Sequence, residues 1–170
     1  MSLERLEDLE PLANEQSDLA LAALALAGLF KPRVDRTGVI TRLDALASLG
    51  LERAVDDSAA ARGAALVRLL FVDLRYSTDD AVFGEAAGSF LDDVLMRRRG
   101  LPISLSLVYV LVGQRMGLDV AGISFPSRFL VRLRDHQGDH ILDPSERGRE
   151  LDHAELDRRL TEAYGSASAT

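Results

Sequence analysis

The sequence predicts an α+β fold, with helices first and a small antiparallel sheet after them. Two observations carry this. Up to about residue 116 the apolar residues recur at helical spacing in Ala- and Leu-rich segments. Beyond Gly117 the period drops to two, with Phe129, Val131 and Leu133 alternating with Leu130, Arg132 and Arg134. Such an order fits helices packed on one sheet around one core.

Each element has a local reason. Leu3, Leu6 and Leu9 begin an amphipathic stretch that Pro11 interrupts. Ser17 or Asp18 caps the next helix, which runs through Leu19, Leu21, Leu24, Leu26 and Leu29 and stops at Pro32. Its nearly all-apolar surface predicts burial on several sides. Ile40, Leu43, Leu46 and Ala47 share one face of a third helix. A fourth, over 59–74, turns Ala65, Leu66, Leu69, Leu70 and Val72 to the core. A loop is expected over 79–88, then a short helix capped by Ser89 that carries Phe90, Leu91, Val94 and Leu95. Arg97, Arg98, Arg99 and Gly100 end it, with cations where the helix dipole favours them. Pro102 suits the first turn of the following helix, about 103–116. That helix is apolar on nearly every face, so it is expected to be the central buried one. Strands are expected over 120–124, 129–134 and 140–142, the last two joined as a hairpin by Asp135-His136-Gln137-Gly138-Asp139. Leu156, Leu160 and Tyr164 lie on one face of a final helix that ends at Gly165.

The 170 residues suit one domain, 1–165, followed by a short tail, 166–170. Within it, 1–75 form a helical part, 89–145 the core and 150–165 the last helix. The net charge of −7 argues against generic nucleic-acid binding, which needs cations to neutralise phosphates. Lys31 is the only lysine, so positive charge means arginine, the residue suited to bidentate pairing with carboxylates or phosphates. The chain has no cysteine, which removes disulfides, thiolate zinc sites and thiol nucleophiles together. The acidic start lacks the positive region of a signal peptide, and the apolar run 19–30 is shorter than the roughly 20 residues a membrane span needs. A cytoplasmic protein without membrane insertion is expected. Metal and cofactor sites are not expected: the three histidines are scattered, and there is no phosphate-cradling glycine loop.

Three segments stand out for chemistry: Arg99-Gly100-Leu101-Pro102-Ile103-Ser104-Leu105-Ser106, Phe125-Pro126-Ser127-Arg128-Phe129-Leu130-Val131-Arg132, and Ile141-Leu142-Asp143-Pro144. A helix N-terminus, a strand and the next strand could present a nucleophile, a base and an orienting carboxylate. Together with Leu43-Asp44-Ala45-Leu46-Ala47 and Ser89-Phe90-Leu91-Asp92-Asp93-Val94-Leu95, these segments resemble the transglutaminase-like core of bacterial SirB-type proteins. The resemblance implies a cysteine-proteinase-like α+β fold with a helical N-terminal region. It places Ser104 at the nucleophile position, Arg128 where the relatives carry His, and Asp143 at the retained acid. Many relatives continue into a tetratricopeptide-repeat region, which the match here does not reach and which another chain could supply.

A serine hydroxyl needs a base within hydrogen-bond reach, and Arg128 stays protonated. His136 falls in the turn and His153 at the last helix. His140 lies three residues from Asp143, an odd spacing that puts the two on opposite strand faces. Three readings follow. The first is a non-catalytic domain that engages a protein partner or regulates one. The second is a residual Ser-dependent amidase or acyltransferase using Ser104 and Asp143. The third is an anion or acidic-peptide site on an arginine face formed by Arg128, Arg132 and Arg134. Without a catalytic role, Ser104 is expected to satisfy backbone N–H groups in the first helical turn, and Ser106 to be a small packing residue. Arg128 either pairs with Asp143 or faces an open cleft.

Overall fold

The computed structural model describes residues 19–31, 33–78 and 80–164. The expected stretch at Leu3–Leu9, the Ser17 or Asp18 cap, Pro32, Gly165 and the tail lie outside them. The described chain is α+β, with six α-helices and one four-stranded sheet.

Helix α1, Leu19–Phe30, buries Ala20, Leu24, Ala25 and Ala27. Burial on several sides does not occur: Leu19, Leu21, Leu26 and Phe30 are exposed. The reason is packing, because its main neighbours are two later helices on one side. These are α2, Arg36–Arg53, and α4, Leu91–Arg97. Lys31, just past the end of α1, reaches Asp92 at 2.6 Å and Asp93 at 2.8 Å on α4 and lies over the Phe90 ring.

Asp35 caps α2 by accepting from the Gly38 N–H at 2.9 Å. Ser58 does the same for α3, Ala59–Val67, through the Ala61 N–H at 3.1 Å. The expected fourth helix changes pitch. At Arg68–Asp73 it becomes π-helical, closed by bonds such as Leu74 N–H to Leu69 C=O at 3.0 Å. Leu69, Leu70 and Phe71 stay inside, but the wider turn carries Val72 outward to 61% exposure, against the core role expected of it.

The expected loop before α4 is two short 3₁₀ turns, Asp80–Gly84 and Ala86–Ser89. Ser89 closes the second of them, so α4 starts from Phe90 with no side-chain cap. It ends at Arg98, which adopts the left-handed conformation (φ +57°) usually left to glycine. Helix α5, Pro102–Arg115, has proline in its first turn as expected and is buried along most of its length. It packs against α2, α4 and the sheet, so it is the central helix.

Strands β1 (Asp119–Phe125), β2 (Arg128–Asp135), β3 (Gly138–Asp143) and β4 (Arg149–Leu151) form an antiparallel meander in chain order. β4 is an addition to the expected set: three residues give too short an alternation to read. Register places Val131 opposite Leu142 and Leu133 opposite His140. Val131, Leu133 and Leu142 join the core. Pleating therefore puts Arg128, Leu130, Arg132 and Arg134 on the other face with Asp139, Ile141 and Asp143. Helix α6, His153–Tyr164, carries no fully buried residue. No helix among the described residues is long and apolar enough to cross a membrane.

Candidate functional site

β1 and β2 are joined through Pro126 and Ser127, whose left-handed backbone (φ +59°) makes the reversal. The reversal delivers Arg128 at the first position of β2, near the end of β3. There the Arg128 guanidinium donates to Asp143 Oδ2 at 2.8 Å and Glu146 Oε1 at 2.8 Å. Asp143 is fully buried, and it caps the 3₁₀ turn Pro144–Glu146 by accepting from the Ser145 N–H at 2.9 Å. It also accepts from the Ser145 hydroxyl and from Arg159 of α6, the latter at 3.2 Å. Four donors thus converge on one carboxylate.

Around this pair, cations and carboxylates alternate. Arg159 reaches Glu146 at 3.1 Å and Glu155 at 2.8 Å. Arg149 holds Glu146 at 2.7 Å and Glu155 at 3.2 Å. Arg158 bridges Glu155 and Glu162, both at 2.6 Å. These side chains line a cleft of about 560 Å³ bordered by Phe125 and Pro126. Arg128, Arg149, Arg158 and Arg159 face Asp143, Glu146, Glu155 and Glu162, so the cluster is charge-balanced. The two alternatives for Arg128 are not exclusive: it pairs with Asp143 and, at 38% side-chain exposure, also borders the cleft.

The other candidates sit apart from this cluster. Ser104 is in the first turn of α5 and only 4% exposed. Among the described residues no hydrogen bond joins its side chain to Arg128, Asp143 or a histidine. The helix-capping role expected of Ser104 is also missing, since α5 has no side-chain cap. Ser106 does more than pack: its hydroxyl donates to the Phe129 carbonyl at 2.9 Å, tying α5 to β2 beside Arg128. Arg132 and Arg134 share the strand face of Arg128 by register, but they hold other partners. Arg132 reaches Asp119 at 3.0 Å, and Arg134 grips Asp139 with two nitrogens at 2.6 and 3.0 Å. The arginines that join Arg128 instead come from β4 and α6. Sequence reasoning missed them, although Glu155, Arg158, Arg159 and Glu162 show the three- and four-residue spacing of helical ion pairs.

The network also fixes how α6 is held. Arg158 and then Arg159 hold the Glu155 carboxyl down at about 2. Burial opposes the same shift at Glu146, yet the hydrogen bond from Arg149 and the charges of Arg159 and Arg128 leave it below its ordinary value. A depressed carboxyl contributes stability that is full above its unfolded value of 4.5 and is lost as pH falls toward about 2. Protection factors over 153–164, corrected for the intrinsic pH dependence of amide exchange, are therefore expected to stay constant from neutral pH to the mid-fives and to fall in more acidic buffer, before α5 loses protection. Molar salt at neutral pH is expected to speed the same segment. A segment that opens only together with α5 would show that α6 is held by something other than these charges.

A buried helix packed on an antiparallel sheet agrees with what sequence comparison finds. Residues 37–170 match the model of the transglutaminase-like superfamily. The chain is 34% identical over 145 residues to the UPF0162 protein of Pseudomonas aeruginosa, covering 84% of this chain and 52% of that one. It is 40% identical over 102 residues to the UPF0162 protein of Xylella fastidiosa, covering 60% and 36%. A shorter stretch of 64 residues is 33% identical to F-box only protein 21 of Homo sapiens, covering 38% and 10%. The chain thus spans about a third to a half of the length of these two bacterial relatives. No solved structure matches it. On the family match and the α+β architecture together, the chain belongs to the transglutaminase-like superfamily.

Proposed function

We propose that this is a non-catalytic transglutaminase-like domain, acting as a protein-interaction or regulatory module. One observation supports the reading: Arg128, which the resemblance sets where the relatives carry His, is clamped to the buried Asp143. Catalysis by Ser104 needs a group that takes its proton, and a guanidinium, which has no lone pair to accept one, does not. The acid that would orient a histidine is itself saturated by Arg128, Arg159 and Ser145. Nor is a histidine recruited: His140 bonds Glu150 at 2.7 Å, and among the described residues none bonds Ser104.

The test is turnover. The purified chain is expected to hydrolyse amide and ester substrates, and to transfer acyl groups to amines, no faster than its Ser104→Ala variant. Turnover that Ser104→Ala abolishes would overturn the reading and favour a residual serine amidase or acyltransferase. Arg128→His is expected to leave activity at background, because among the described residues no hydrogen bond joins Ser104 to this side chain.

A further inference from the structure

A second cavity, of about 620 Å³, lies between α3 and the core-facing side of the sheet. It exists because α3 presents small residues there: Ala60, Gly63 and Ala64 leave room before Leu133 and Leu142. Space is close to its limit at Gly63, where an added Cβ would come within 2.8 Å of the Leu133 side chain.

The wall is apolar, but two polar residues, Tyr109 and Arg68, line it with bonding capacity unused among the described residues. Tyr109 is fully buried and its hydroxyl has no partner among the described residues. Burial pushes its ionisation far above the ordinary range, so it is a neutral O–H that can donate and accept. His140 holds Glu150 through Nδ1 at 2.7 Å. Its Nε2 faces Asp135 at 3.2 Å, so both ring nitrogens lie against carboxylates. The hydrogen bond to Glu150, with a further contribution from Asp135, raises the His140 pKa and favours the imidazolium. Arg68, at the start of the π-helical turn, is exposed beside the same cavity and has no ion pair among the described residues. Asp135 and Glu150 are already engaged with His140, and Asp135 also accepts two backbone N–H groups. The uncommitted charge at this opening is therefore the Arg68 cation.

Buried polar groups without partners each cost about 1–3 kcal/mol, and in native structures they usually mark a missing partner. An apolar pocket with a few polar groups is the usual form of a small-molecule site. We propose that this cavity binds a small carboxylic acid with an apolar body and a hydrogen-bonding group at its far end. The carboxylate pairs with Arg68, the body lies along Ala60, Ala64 and Leu133, and the far polar group meets the Tyr109 hydroxyl. A hydroxyaryl acid is the simplest molecule of this shape.

The test is an NMR titration of the whole chain with three probes: 3-(4-hydroxyphenyl)propionate, 3-phenylpropionate and 3-(4-hydroxyphenyl)propionamide. The first is expected to bind saturably and to move the His140 ring resonances. Loss of the carboxylate in the amide, or of Arg68 in Arg68→Gln, is expected to weaken binding about tenfold, the worth of one charge-assisted hydrogen bond. Loss of the aryl hydroxyl is expected to weaken binding about fivefold on the parent chain but not on Tyr109→Phe. Ala64→Leu, which fills the cavity, is expected to abolish binding of all three. If no probe moves His140 at millimolar concentration, the proposal is overturned. Binding that survives Ala64→Leu overturns it as well. Arg68 and Ala64 are exposed, so both variants are expected to fold, and a thermal melt of each checks that.

Discussion

Asp143→Ala is expected to destabilise the protein by about 3 kcal/mol, while Arg128→Ala costs only about 1 kcal/mol. The asymmetry follows from burial. Asp143 is fully buried and its carboxylate takes two guanidinium bonds, the Ser145 N–H and the Ser145 hydroxyl. Removing it strips a cap from the turn at Pro144 and leaves Arg159, only 11% exposed, leaning on Glu146 and Glu155 alone. Breaking a buried pair from that side typically costs 3–5 kcal/mol. The remaining glutamates place this case at the low end. Removing Arg128 leaves Asp143 with Arg159 and Ser145, and Arg128 itself is half-exposed, so solvent already screens its charge. Urea denaturation of both variants measures the difference directly. Equal losses would mean that Asp143 depends on Arg128 alone, with Arg159 contributing nothing.

Much of this arrangement was legible from the residues. The change of period after Gly117, the proline opening α5 and the turn chemistry of Asp135 to Gly138 each reflect local physics, and each element formed. What was not legible depends on distance in the fold. The π-helical turn at Arg68–Asp73 satisfies the helix pattern in sequence, yet its wider pitch turns Val72 outward. Whether an apolar helix is buried depends on how many neighbours reach it, so α1 reads as enclosed while Leu26 and Phe30 face outward. At the site, the charges of Arg128 and Asp143 indicate a pair, but sequence spacing does not show that α6 brings Arg159 onto the same carboxylate. An arginine face of Arg128, Arg132 and Arg134 is correct in register, but Asp119 and Asp139 come from neighbouring strands to neutralise its outer part. The functional consequence lies in those long-range pairings. A row of like charges suggests an anion site only when the opposing carboxylates are out of reach.

Tyr109 packs α5 against the π-helical turn, and replacing it separates its packing from its polarity. Tyr109→Ala is expected to cost about 4 kcal/mol, within the range for truncating a buried aromatic. The ring is fully buried in α5 and stacks on Phe71 of the π-helical turn, with centroids 6.4 Å apart and planes 9° from parallel. Losing it would open a void continuous with the cavity that Tyr109 already borders, so neighbours have little reason to collapse inward. Tyr109→Phe keeps the ring and removes only a buried hydroxyl that has no partner among the described residues. That variant is expected to be as stable as the parent or up to about 1 kcal/mol more so. The contrast is checked by denaturation midpoints in the absence of ligand. A loss above about 1 kcal/mol in Tyr109→Phe would mean that the hydroxyl is satisfied in the free protein. The polar end of the cavity would then be occupied before any acid binds. Full stability in Tyr109→Phe, with the large loss in Tyr109→Ala, leaves the hydroxyl without a structural role and available to a ligand.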